Sequence, residues 1–168
     1  MFNEEQAGEN PSFVDMRLGA TERARLLDKT KWSSDFEWRQ IEAMVKYMSV
    51  RKAAKDSILI REGAVESFMC IIISGKVRIE KEDENGSKKF ITYVGPGQIL
   101  GELSLNDEEP RSASAVAAED VTFLMLTRDD FDRMSTEMPL LAVKLLLRII
   151  KGLGERLRRT SGILADYL

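Results

Sequence analysis

Residues 77–94 read "VRIEKEDENGSKKFITYV". Val77 and Ile79 alternate with Lys76, Arg78 and Glu80, the period of a strand with one buried face. Asn85-Gly86 falls near the middle of the stretch, and this dipeptide is the strongest short hairpin signal. Two antiparallel strands are therefore expected here. Working outward, short β-branched or apolar runs recur: "SILI" (57–60), "FMCIII" (68–73) and "VTFLML" (121–126). Gly63, Gly75, Gly95, Gly97 and Gly101 stand between them or at their ends. The chain reads as mainly β over residues 50–127, a β-roll or jelly roll, with helices on both sides.

Before the roll, the spacing predicts helices within 21–49. A short one is expected around 21–29. A longer one is expected over 35–48, where Ser34 and Glu37 form an S-x-x-E capping box and Ile41, Met44, Val45 and Met48 recur at helical intervals. Trp32, Phe36 and Trp38 flank these elements as packing residues. Residues 1–20 carry Gly8, Pro11 and Gly19 among polar residues without a sustained period, which reads as a flexible leader. After the roll come C-terminal helices within 128–168. Thr127 and Asp130 start a short one, and Pro139 suits the first turn of a long one.

The chain has 168 residues, 43% of them hydrophobic, so a single folded domain with a sizeable core is expected. The net charge is −3, which gives no overall basic field for DNA. The single cysteine, Cys70, lies in an apolar run and is expected as a buried small hydrophobe. The N-terminus "MFNEEQAGEN" is acidic, unlike a secretory signal, and the apolar stretch "PLLAVKLLLRII" is broken by Lys144 and Arg148, so neither export nor a membrane span is expected. A cytoplasmic protein is the expectation.

There are no histidines. Ser-His and Cys-His nucleophile pairs, and the imidazole clusters of most zinc and iron sites, are thereby excluded. The acidic residues 107–109 have no second cluster to converge with, so a carboxylate magnesium site has little support. "GPGQILG" spaces its glycines one residue too widely for a dinucleotide fingerprint. An enzyme is not expected, nor is a metal or other cofactor.

One loop does carry chemistry: "GELSLNDEEPRSASA", residues 101–115. Gly101 followed by a short helical turn presents backbone amides without a blocking side chain, an arrangement suited to an anion. Arg111 can add a bidentate guanidinium to a phosphate and Ser112 a hydroxyl. Glu102 would repel phosphate, and so makes sense as an acceptor for something else, for which a ribose hydroxyl is the obvious candidate. Phosphate and ribose together mean a nucleotide. One arginine with no lysine or metal suits a single negative charge, such as a cyclic phosphate.

This stretch resembles the phosphate-binding cassette of cyclic nucleotide-binding domains, the family of the catabolite-activator regulators, kinase regulatory subunits and nucleotide-gated channels. The resemblance covers about residues 35–160, and in its specific part Arg111 follows Glu102 by nine residues. It implies that Glu102 takes the ribose 2′-hydroxyl and Arg111 an exocyclic phosphate oxygen. It further implies that the amides of Gly101, Leu103, Ser104 and Ala113 complete the cradle. The ligand implied is cyclic AMP, ahead of cyclic GMP, although the Ser112 hydroxyl could reach a guanine amino group.

The activator type continues into a helix-turn-helix, whereas this chain ends at "ADYL". A non-catalytic sensor is expected, its output going to an unknown downstream protein or to a homodimer through the C-terminal helix. The alternatives are a DNA-binding regulator lacking its helix-turn-helix and a roll that only docks or dimerises. Lys151, Arg156, Arg158 and Arg159 read as a solvated helix face. Gly152 and Gly154 mark a weak point in the helix. Beyond it a mobile lid is expected, with Leu157, Leu164 and Tyr167 as candidates to cover the base.

Overall fold

The computed structural model describes residues 13–106 and 108–166, with the side chains of residues 164–166 outside the description. Its strands are β1 (Val14–Met16), β2 (Ser49–Ala53), β3 (Ile58–Ile60), β4 (Phe68–Ser74), β5 (Val77–Glu82), β6 (Lys88–Val94), β7 (Ile99–Leu100), β8 (Ser114–Ala117) and β9 (Val121–Thr127). Its helices are α1 (Ala20–Asp28), α2 (Trp38–Met44), α3 (Arg128–Glu137) and α4 (Pro139–Asp166).

The apolar run of β4 is buried on both faces, and its alternation sorts the core into two layers. Met69 and Ile71 join Leu124 and Leu126 of β9 beneath the helices. Phe68, Cys70 and Ile72 point the other way, into the roll, with Phe123, Val77 and Ala115. Burial pushes the Cys70 thiol up, out of reach of ordinary ionisation. The five-stranded sheet runs β1-β2-β9-β4-β7 and the four-stranded sheet β3-β8-β5-β6, with every pairing antiparallel. The architecture is the β-roll with flanking helices that the strand pattern predicts.

Three local expectations are revised, while the hairpin around Asn85-Gly86 forms as expected. Residues 14–16, read as leader, form an edge strand on β2, because Asp15 pairs with Arg51 (3.3 Å) and the Phe13 ring packs edge-on against Phe68 and Phe123. Residues 1–12 of that leader lie outside the described residues. The second helix starts at Trp38, since Lys31–Asp35 take a 3-10 turn and the reciprocal cap is made by Glu37 and Gln40, with Ser34 uninvolved. It also ends early, in a 3-10 turn at Val45–Tyr47. The hairpin loop is five residues long: Asp83 Oδ1 accepts from the amides of Asn85 and Ser87, and Gly86 takes the left-handed φ of 74°.

Thr127 caps α3 as expected, its hydroxyl accepting from the Asp130 amide at 3.1 Å. α4 runs unbroken through Gly152 and Gly154, so those glycines do not end the helix. One face of α4 buries Leu141, Ala142, Leu145 and Ile149. Polar contacts tie it to the N-terminal layer: Lys144 to Gln40 (2.6 Å), Lys151 to Asp35 (3.0 Å), and Arg148 Nε to the Trp32 carbonyl (2.9 Å). The Lys151 hydrogen bond, reinforced by the charges of Lys151, Arg148 and Lys144, holds the Asp35 carboxyl below the usual carboxylate range. No described helix is long and apolar enough to cross a membrane.

Candidate functional site

The sequence between β7 and β8 forces a tight approach. Gly101 has φ of 70°, and a Cβ there would lie 2.6 Å from Arg111 Nη1 and 3.0 Å from the Phe68 carbonyl oxygen. Glycine is required on both counts. The chain then turns through a 3-10 segment, Glu102–Leu105, in which the Ser104 amide donates to the Gly101 carbonyl at 3.3 Å. The amides of Glu102 and Leu103 open this turn, in the position where a helical turn has no internal acceptor to offer.

Arg111 is brought in from the opposite side. Its amide donates to the Ala64 carbonyl (2.9 Å) and its carbonyl accepts from the Gly63 amide (2.8 Å), so the β3–β4 loop clamps it as a strand would. The guanidinium is buried. Nη1 donates to the Gly101 carbonyl (3.0 Å) and Ser104 Oγ (2.7 Å), and Nη2 to the Phe68 carbonyl (2.7 Å), over the Phe68 ring. Glu66, half-buried, is near enough to feel Arg111 and Arg61. Burial pushes its carboxyl above the usual range against the pull of those two cations.

These groups wall a cavity of about 390 Å³. All seven residues singled out in the sequence line it: Gly101, Glu102, Leu103, Ser104, Arg111, Ser112 and Ala113. Ile60, Ile79, Ile91, Val94 and Leu100 supply apolar walls. Glu102, its side chain only 3% exposed, accepts a hydrogen bond at 2.9 Å through Oε1 from Arg156 Nη1 of α4. The second Arg156 nitrogen donates to the Ile99 carbonyl at 3.3 Å. A cavity with a buried guanidinium, a buried carboxylate, turn amides and aliphatic walls can take a ligand of mixed character, part anion, part hydroxyl and part flat apolar ring.

Arg156 was not singled out for this role, having been read as part of a solvated face. Its contact with Glu102 joins residues 54 positions apart, a separation no local pattern encodes. The inward position of Ile79 was legible from the alternation of β5, whereas Thr92, Glu109, Pro110 and Ser114 also line the cavity without a distinctive local signal. Of the lid candidates, Leu157 is 68% exposed and absent from the cavity wall, because the unbroken α4 turns it outward. Tyr167 and the Leu164 side chain lie outside the described residues, as does Asp107 of the acidic run. Among the described residues no group of three or more His, Cys, Asp or Glu side chains is placed to hold a metal ion.

Comparison with known proteins agrees with this geometry. The profile of the cyclic nucleotide-binding domain matches residues 50–137, and the chain belongs to that family. It is 32% identical over 116 residues to the cyclic AMP receptor protein of Thermus thermophilus, covering 69% of this chain and 54% of that protein. It is also 32% identical over 128 residues to a CRP-like cAMP-activated global transcriptional regulator of Mycobacterium tuberculosis, covering 76% of this chain and 55% of that protein. The chain thus spans about half the length of these relatives. A crystal structure of a cyclic nucleotide-binding domain from Methylobacillus flagellatus superimposes with a TM-score of 0.80 at 30% identity, covering 94% of this chain and 90% of that one.

The close approach at Gly101 yields a direct test. Gly101→Ala should lower stability by about 1–3 kcal/mol from the left-handed backbone alone, measured by denaturant unfolding. It should also displace the Arg111 guanidinium. An unchanged unfolding midpoint would mean that the β7–β8 connection is not held in this conformation.

Proposed function

We propose that the chain is a non-catalytic sensor of a cyclic nucleotide, cyclic AMP before cyclic GMP, and that occupancy of the cavity is transmitted through α4. One observation carries the reading: a buried carboxylate and a buried guanidinium, nine residues apart in sequence, face one apolar-walled cavity with the Glu102–Leu105 turn between them. In this reading Glu102 accepts the ribose 2′-hydroxyl. Arg111, with the amides of Gly101, Leu103 and Ala113, holds the cyclic phosphate, whose single charge one arginine matches; the Ser104 amide, also expected in the cradle, donates to the Gly101 carbonyl instead. The aliphatic side chains of β5, β6 and β7 take the base. The names of the two relatives support cyclic AMP, and Ser112 at the cavity wall keeps cyclic GMP as the competitor to be measured.

The output assigned to α4 has two parts. Ligand shifts the population of the segment beyond Gly154, with Leu157, Leu164 and Tyr167 the candidates to close over the base. A second copy of the chain covers the outer face of the helix. Leu140, Val143, Leu147, Ile150 and Leu157 are all exposed and recur at alternating three- and four-residue steps, the a/d spacing of a two-stranded coiled coil, with Gly154 at the intervening position. The activator-type alternative, a sensor half of a DNA-binding regulator, draws on the M. tuberculosis relative, of which this chain matches about half.

Two measurements check this. Glu102→Gln should weaken cyclic AMP by about 10- to 100-fold, the worth of a charged hydrogen bond, as read by calorimetry. Its effect on the 2′-deoxy analogue should be much smaller, and losses that simply add would mean that Glu102 does not touch that hydroxyl. In sedimentation equilibrium the parent chain should be a dimer and Leu147→Glu a monomer with unchanged circular dichroism. A monomeric parent would remove the second copy from the α4 face.

A further inference from the structure

A second, smaller cleft of about 110 Å³ lies between the 3-10 turn at Lys31–Asp35, the turn at residues 95–98 and the middle of α4. Its charged walls are Arg148, Arg156 and Arg159 against one carboxylate, Glu155. Trp32 forms another wall. It is 2% exposed, and its indole N–H is buried without an acceptor among the described residues. The Arg148 guanidinium lies over the Trp32 ring, 5.5 Å from its centroid, with Nε fixed to the Trp32 carbonyl. Arg159 has no ion-pair or hydrogen-bond partner among the described residues.

Arg156 lines both this cleft and the nucleotide cavity. We propose that the cleft binds a small oxyanion of the phosphate class, and that its occupancy opposes nucleotide binding through Arg156. The coupling rests on the functional reading above; the oxyanion site does not. Guanidinium forks match the oxygens of such an anion; Arg148 is shared with Asp35 (3.4 Å) and Arg156 with Glu102 (2.9 Å), so Arg159 supplies the uncommitted cation and the other two the remaining donors. Among the described residues the Arg156 guanidinium is held by Glu102 and the Ile99 carbonyl, and its side chain is 53% exposed, so it can turn between the two cavities. Once it turns to an anion in the cleft, the Glu102 carboxylate loses the donor that fixes its Oε1, and the ribose end of the site loses its positioned acceptor. By linkage, bound nucleotide weakens the anion to the same degree.

The test uses the full chain with Trp38→Phe. The sequence contains two tryptophans, so this substitution leaves Trp32 as the only reporter. Inorganic phosphate, added at constant ionic strength against chloride, should change the Trp32 emission saturably, and Arg159→Ala in the same background should abolish the change. In calorimetry, phosphate should weaken cyclic AMP about fivefold or more in the parent and clearly less in Arg159→Ala. This comparison separates the cleft from direct competition at Arg111, which Arg159 does not touch. Absence of a saturable Trp32 response, with cyclic AMP bound normally, overturns the oxyanion site alone. An equal phosphate effect in parent and Arg159→Ala overturns the coupling. If cyclic AMP fails to bind while the Trp32 response persists, the nucleotide reading and the coupling both fall and the oxyanion site stands.

Discussion

The buried guanidinium of Arg111 is the constraint on which this site turns. An arginine inside a β-roll is costly unless its donors are met, and here the carbonyls of Phe68 and Gly101 and the hydroxyl of Ser104 accept from Nη1 and Nη2. The partners come from two segments, so the arginine ties the start of β4 to the tight turn after β7. The same geometry dictates glycine at 101, because any side chain there would strike the guanidinium it helps to hold. The β3–β4 loop closes the arrangement by bonding the Arg111 backbone on both sides. Charge and turn geometry thus meet at one residue, which lies in the cavity wall.

The second link runs outward. α4 is packed on the helical layer by Leu141, Leu145 and Ile149, and fastened to α2 by Lys144 and to the Lys31–Asp35 turn by Arg148 and Lys151. One residue of its later half, Arg156, reaches the cavity. A helix rigidly held at one end and touching the site by a single ion pair at the other is suited to report on what the site contains. The pair is asymmetric: the carboxylate is almost wholly buried, while half of the arginine side chain is in water. Displacing the arginine therefore costs the carboxylate more than it costs the arginine.

Much of the fold was legible because its strands carry strong local signals. β4 and β9 are apolar runs bounded by turn residues, Thr127 announces its helix through a side-chain cap, and the 101–113 loop carries its glycine, glutamate and arginine at fixed spacing. Where local signals compete or are short, the reading slipped. The Ser34–Glu37 box pointed to a start at 35, but Lys31–Asp35 take a 3-10 turn with Trp32 buried, and the helix begins only at Trp38. β1 has three residues and depends wholly on its partner strand, so its own sequence could not reveal it. Arg156 escaped for a different reason. Its role follows from the register of α4 against a loop 54 residues away, a tertiary fact with no periodicity to betray it.

The central claim is that Arg111 holds a ligand phosphate in this cavity. The most direct test is calorimetric titration of the full chain and of Arg111→Ala with cyclic AMP, with folding checked by circular dichroism. Removing one partner of a buried charge pair costs about 2–5 kcal/mol, so the account predicts saturable binding to the parent chain and an affinity at least tenfold weaker in the variant. Equal affinity in a folded Arg111→Ala, or no binding by the parent, would contradict it.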